Sequence, residues 1–156
     1  MPDDIVIRAA TERDIPEVRR MLQEYVEWIG LDLAFQEIDA ELSGLPGDYA
    51  PPGGALLVAV TGDRYVGMIA VRPLEGEVAE MKRLYVRPAA RGRGLARRLV
   101  AHICERAKAL GYREIRLDTL PKMGEAQALY EALGFRDIEP YYDTPIAGTR
   151  FMSRTL

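Results

Sequence analysis

Three observations predict a single mixed α/β or α+β domain over residues 1–156. The chain has 156 residues, which suits one domain, since domains most often run to about 100–150 residues. Its residues are 48 % hydrophobic and 29 % charged, an ordinary globular balance that argues against disorder of the whole chain. Its apolar residues switch between strand-like alternation and helical spacing, in the order β-α-α-β-β-β-α-β-α-β-β.

Ile5, Ile7 and their neighbours alternate as a first strand. Thr11 then offers a helix cap, with Asp14 three residues on in the favourable first turn. Ile15, Val18, Leu22, Tyr25, Val26 and Ile29 recur at three- and four-residue steps as one apolar face, and Gly30 ends that helix. Trp28 falls beside the stripe and reads as a packing residue. A weaker helical segment covers 33–42. Residues 44–54 hold three prolines and four glycines and form a loop. Residues 55–60 and 65–71 are strand-like runs joined by a short turn, a hairpin. Residues 73–77 read as another turn and 78–86 as a strand stopped by Pro88. The longest helical pattern covers 91–110, with Leu95, Leu99, Ile103, Ala107 and Leu110 along one face and Gly111 as its cap. Residues 114–120 form a strand with Ile115 and Leu117 on one side, Arg116 and Asp118 on the other. After a loop at 121–124, residues 125–133 form a short helix ended by Gly134. Residues 135–138 and 150–155 read as terminal strands around an irregular stretch with Pro140, Pro145 and Gly148.

No apolar run approaches the roughly 20 residues that span a bilayer, so a membrane is not an expected partner. The acidic Met-Pro-Asp-Asp start does not read as a secretion signal. Cys104 is the single cysteine, and a reduced cytoplasmic setting is expected. The net charge of −3 is unevenly spread. Residues 1–81 carry 6 basic and 16 acidic side chains; residues 82–98 carry 7 basic and none acidic; residues 99–156 carry 8 of each. A basic island of net +7 thus interrupts an acidic chain.

That island spans a strand end, a glycine-rich turn and a helix start. Gly92 and Gly94 let backbone approach a ligand without Cβ hindrance. The first N–H groups of the following helix lack internal partners and lie at the positive end of its dipole. Arg91, Arg93, Arg97 and Arg98 surround them, and the combination points to a phosphate or diphosphate ligand. The Gly-x-x-x-x-Gly-Lys-Ser/Thr loop of nucleotide hydrolases is absent. Gly92-x-Gly94 also lacks the third glycine and preceding βαβ unit of a dinucleotide fold. Nucleic acid is not an expected partner, because such binding needs a larger basic footprint.

Arg91-x-x-Gly94-x-Ala96, after a strand ending Leu84-Tyr85-Val86-x-Pro88, resembles the acyl-CoA pyrophosphate motif of the GCN5-related N-acetyltransferase (GNAT) superfamily. Ala126-x-Ala128-Leu129-Tyr130-Glu131-x-Leu133-Gly134-Phe135 resembles that family's helix-to-strand segment, and Ile7-Arg8-x-Ala10-Thr11-x-x-Asp14 its opening strand and helix. The resemblance covers essentially the whole chain. It implies a central mixed, mostly antiparallel sheet flanked by helices, and an acetyl-CoA-dependent N-acetyltransferase in which an amine attacks the thioester directly. Acetyl-CoA and an amine acceptor are then the partners, a homodimer is admitted, and no metal is called for. A catalytically weak acyl-CoA-binding regulatory module is the alternative.

On this resemblance the pyrophosphate falls to Arg91, Gly92, Arg93, Gly94, Leu95 and Ala96. The pantetheine arm falls to the backbone of Leu84, Tyr85 and Val86, with an N–H near Val86 donating to the thioester oxygen. That oxygen gains charge as the amine attacks, so a preplaced donor lowers the barrier. Tyr130 matches the tyrosine that protonates the departing thiolate. Glu80 is the leading candidate for the base or amine-binding group, with Asp118 as its competitor. His102 and Cys104 are read as structural. Many members of that family carry an asparagine that contacts the pantetheine arm where this chain has Met123, so the side-chain contact is replaced by a thioether here. Tyr141, Tyr142 and Tyr49 are candidates for bordering the acceptor. The acidic residues of the first half read as ordinary surface, with a cationic acceptor as the competing reading.

Overall fold

Seven strands share one sheet in the computed structural model, which describes residues 4–30 and 37–156. The elements are β1 Val6–Ala9, α1 Ile15–Ile29, α2 Ile38–Gly44, β2 Ala55–Thr61, β3 Arg64–Glu75, β4 Val78–Val86, α3 Leu95–Ala109, β5 Glu114–Thr119, α4 Gly124–Ala132, β6 Arg136–Asp137 and β7 Arg150–Thr155. Their order is the one expected from the sequence. The sheet runs β1-β2-β3-β4-β5-β7-β6. Every neighbouring pair is antiparallel except β4 and β5, which are parallel and joined through α3.

Period-two alternation sends side chains to two separate cores. Leu57, Ile69, Val71, Ala79, Met81, Ile115 and Leu117 pack with the buried face of α3. Leu56, Val58, Met68, Ala70 and Tyr85 pack under α1, against Val18, Met21, Leu22 and Tyr25. The sheet is therefore covered on both sides. Gly67 brings α3 close to it: a Cβ there would lie 3.0 Å from the Tyr85 carbonyl oxygen and 3.3 Å from Leu99.

Several boundaries differ from expectation. The turn expected at 73–77 is shorter, because β3 continues through Pro73 to Glu75 and absorbs the proline at an irregularity in its pairing with β4. The helix expected from residue 91 starts at Leu95, since Gly92 and Gly94 take positive φ (80° and 74°) and cannot lie in a right-handed helix. The second helix begins at Ile38; residues 33–36 of the expected segment lie outside the described residues. Thr11 and Asp14 do pair, but they bracket a short 3-10 turn, Glu12–Asp14, and α1 starts only after it at Ile15, with Asp14 rather than Thr11 at its cap position. Asp14 also anchors its surroundings, accepting from Thr11 N (2.7 Å), Tyr65 Oη (2.5 Å) and both terminal nitrogens of Arg8 (2.7 and 3.0 Å). No helix among the described residues is long and apolar enough to cross a membrane.

Candidate active site

A bulge in β4 and a split between β4 and β5 build the site. Tyr85 faces Met68 and Lys82 faces Ala70, so Arg83 and Leu84 together oppose Ile69. Arg83 takes φ 63°, a conformation costing a non-glycine residue about 1–2 kcal/mol. The extra residue reverses the alternation. Ala79 and Met81 face α3 before the bulge; Leu84 and Val86 face it afterwards, and Tyr85 joins the α1 side. Arg87 N donates to Val66 O (2.9 Å), so by antiparallel alternation the N–H groups of Leu84 and Val86 point away from β3. The Val86 carbonyl confirms the direction by accepting Arg91 Nε (2.9 Å).

On that side β5 has left. The two strands pair only over Val78–Glu80 and Glu114–Arg116, whereas β5 stays paired with β7 on its other edge from Glu114 to Thr119. The gap is a cavity of about 640 Å³ bordered by Lys82, Leu84 and Val86 from β4, Leu117 and Asp118 from β5, and Tyr130 from α4. Strand edges opened in this way offer backbone donors and acceptors to an extended ligand.

At one mouth Arg91 and Ala96 line the cavity, and Gly92, Arg93, Gly94 and Leu95 of the glycine-rich turn lie between them without lining it. Gly94, at the cap position of α3, offers no side-chain cap, so the first N–H groups of the helix remain available to an anion. Arg91, Arg93 and Arg97 are exposed there, while Arg98 turns away and donates to Ile5 O (3.0 Å). Arg91 is nevertheless anchored: its guanidinium lies 5.8 Å from the Trp28 ring centre and 5.9 Å from that of Tyr85. Trp28, expected to pack, is 39 % exposed and lines the cavity. Lys122 stacks on it at 5.0 Å and donates to its carbonyl oxygen.

Tyr130 is buried and borders the cavity. Its ring packs on Phe135, with centres 5.7 Å apart, and among the described residues no group hydrogen-bonds its hydroxyl. Burial raises its pKa, and Tyr25 and Asp118 push it further in the same direction, so the phenol stays protonated and able to donate.

The other end of the cavity is a buried charge cluster on the α1 side of the sheet. Glu80 is 2 % exposed. It accepts Arg72 Nε (2.9 Å) and Tyr141 Oη (2.7 Å), and it does not line the cavity. Asp118 does line it, and accepts Tyr142 Oη (2.6 Å) and Lys82 Nζ (3.4 Å). Burial pushes the Asp118 pKa up, but the Lys82 charge and the Tyr142 hydrogen bond outweigh it and hold it below the usual carboxylate range. Arg83 grips Glu41 through two 2.8 Å bonds. Tyr141 and Tyr142 meet each other edge to face and both rest on Phe151. The buried Tyr49 hydroxyl has no hydrogen-bond partner among the described residues.

The structure brings Leu84, Tyr85, Val86, Arg91, Ala96 and Tyr130 onto one cavity. Glu80 sits behind it, while His102 and Cys104 do not line it. Met123 stands at the start of α4 and lines it. Of the basic island, Lys82, Arg83 and Arg87 do not surround the turn. They turn to the α1 side and pair with Asp118, Glu41 and Glu24. The acidic first half is accordingly neither plain surface nor a bare anionic wall: Asp14, Glu24 and Glu41 are all paired. Lys82, Arg72 and Tyr25 escaped the sequence reading. Their one signal was charged Glu80, Lys82 and Arg83 inside an otherwise apolar strand.

A sequence model described as the acetyltransferase (GNAT) family matches residues 15–135. A Schizosaccharomyces pombe protein named only as an uncharacterized N-acetyltransferase is 40 % identical over 156 residues, covering 97 % of this chain and 94 % of its own. An Escherichia coli protein named in the same terms is 34 % identical over 143 residues, covering 88 % and 86 %. Among solved structures, the PaiA N-acetyltransferase of Thermoplasma acidophilum in complex with coenzyme A superposes with a TM-score of 0.75 at 19 % identity, covering 97 % of this chain and 99 % of that one. That likeness is one of fold.

Proposed function

The chain belongs to the acetyltransferase (GNAT) family, and from that premise we propose that it moves the acetyl group of acetyl-CoA to a primary amine of a small molecule or peptide. The observation that carries the reading is the single cavity running from the uncapped start of α3, past the turned-out backbone of Leu84 and Val86, to Tyr130 and Asp118.

Each stage uses groups suited to it. The turn of Arg91 to Ala96 offers N–H groups and guanidinium charge to the diphosphate. Leu84 and Val86 present N–H groups to the pantetheine arm and to the thioester oxygen, which gains negative charge in the transition state. The amine arrives as an ammonium, since alkyl amines titrate near 10.4. Asp118, an ionised carboxylate on the cavity wall, suits it better than Glu80, which is held by Arg72 and Tyr141. We place Glu80 as a positioning residue that fixes Tyr141. One ammonium proton leaves to solvent, and the free amine attacks the carbonyl carbon. As the C–N bond forms and the C–S bond breaks, Tyr130 gives its proton to the thiolate sulfur. The nitrogen loses its second proton, which restores the phenol.

Acetyl-CoA should raise the melting temperature of the purified chain, and an amine panel should release free thiol. Tyr130→Phe should lower kcat about 10- to 100-fold, within the span of general-acid contributions, and leave acetyl-CoA affinity within about twofold. Thiol release that no amine accelerates, or a Tyr130→Phe enzyme as fast as the parent, overturns this reading.

A further inference from the structure

The charges at the inner end of the cavity are unequally satisfied. Arg83 holds Glu41 by a two-bond fork, and Arg72 places two nitrogens 2.9 Å from Glu80. Lys82 has three ammonium hydrogens and, among the described residues, one contact, 3.4 Å to Asp118 Oδ1. Charge-assisted bonds of this kind usually measure about 2.7–2.9 Å. Yet the Lys82 side chain is 6 % exposed and that of Asp118 5 %, and both border the cavity. A buried ammonium with one long bond is costly, and its unused donors call for an oxyanion.

Resting on the acetyltransferase reading, we infer that the acceptor is a small zwitterion of the amino-acid type, its ammonium held by Asp118 and its carboxylate by Lys82. Charge balance selects this class. A plain cation would take Asp118 and strand Lys82 in a buried site. A plain anion would take Lys82 and strand Asp118. A zwitterion answers both and leaves the net charge of the site unchanged. Transfer then removes the ammonium charge, so the N-acetyl product keeps its carboxylate but no longer answers Asp118, which favours its release. The three tyrosines at this end fit the same class. Tyr25 lines the cavity, and Tyr142 and Tyr141 hold Asp118 and Glu80 in place, so the floor is shaped before the acceptor arrives.

The test measures thiol release by the full chain with acetyl-CoA and the twenty standard amino acids, each beside its carboxamide and its decarboxylated amine. The best amino acid should exceed both of its counterparts at least about tenfold in kcat/KM, the discrimination expected when a buried charge loses its partner. Lys82→Met should collapse that ratio towards one, chiefly through the KM of the amino acid, while Lys82→Arg retains part of it. Should Lys82→Met fail to fold, Lys82→Met/Asp118→Asn keeps the site neutral, and the parent ratio alone still decides. Turnover of carboxamides and plain amines as fast as amino acids overturns the inference and leaves the transferase reading standing. Thiol release by no acceptor overturns both.

Discussion

At the start of α3 a ligand meets exposed backbone. At the apex of the β4–β5 split it meets the side chains of Lys82, Arg83 and Asp118, backed by Arg72 from β3, Glu80 from β4, Glu41 from α2, and Tyr141 and Tyr142 from the stretch before β7, so that with β5 five separate segments contribute. In the proposed reading the first region recognises a diphosphate with N–H groups and positive charge, and it needs only one turn of chain to do so. The second holds Glu80, Lys82, Arg83 and Asp118 out of water, with Glu41 and the partly exposed Arg72 paired to them. Such a cluster persists only if each charge is paired, so its members constrain one another across the sheet. A local binding site tolerates change around it but depends on its own few residues. A distributed site spreads its dependence and couples chemistry to folding.

The strongest way to break this contrast is Gly94→Glu. The residue has φ 74° and open space around the position of a Cβ, so the folding cost is the left-handed conformation alone, about 1–2 kcal/mol. A carboxylate would, however, stand where the proposed function places the diphosphate. The affinity for CoA should fall at least about 100-fold, or about 2.7 kcal/mol, while the melting temperature drops by only several degrees. CoA affinity that survives would show that the diphosphate lies elsewhere.

Asp118→Asn should behave in the opposite way. It should leave CoA affinity within about twofold but lower kcat/KM for the acceptor about 100-fold, the usual scale for truncating a buried charge pair. It should also cost stability, by stranding Lys82. The pH dependence follows from sign. The folded-state values of Asp118 and Glu41 are both lowered, in each case because pairing with Lys82 or Arg83 outweighs burial. Their stabilisation is therefore complete above the ordinary carboxylate range and is lost as pH falls through the depressed values. Denaturation curves between about pH 6 and pH 2 should be steeper for the parent than for Asp118→Asn. Equal acid limbs would show that Asp118 is not held by its neighbours.

The same contrast governs what the sequence could reveal. The turn is contiguous, so two glycines, four arginines and an uncapped helix start were readable together. The order of strands and helices was readable because apolar period reports local structure. The apex was not, since pairing across the sheet depends on register, and the bulge at Arg83 reverses which side chains face α1. Without the bulge, Tyr85 would face α3 and Leu84 and Val86 would turn to the α1 side. The charge tally misled for this reason as well. The +7 island looks like one phosphate site in sequence, but the bulge and the end of β4 divide it between two.

Trp28 sits between the two regions and offers the finest test of where one ends. It is the chain's one tryptophan, held between Arg91 of the turn and Lys122 of the loop before α4. Its intrinsic emission therefore reports the cavity without any label. CoA and acetyl-CoA should change that emission, because Trp28 lines the cavity that the proposed function assigns to the pantetheine arm. ADP should bind the turn and leave emission unaltered, because it has the diphosphate but not the arm. A response to ADP equal to that to CoA would move Trp28 into the phosphate region. Trp28→Leu removes two cation–π contacts of about 0.5–1 kcal/mol each at partly exposed sites. Some of that loss falls on the free chain too, so the KM for acetyl-CoA should rise only about threefold, a difference of roughly 0.6 kcal/mol. The preference for one acceptor over another should not move, because Lys82 and Asp118 lie beyond the ring. A shift in acceptor preference instead would mean that the two ends of the cavity are coupled through Arg91, whose guanidinium touches Trp28, Tyr85 and the Val86 carbonyl together.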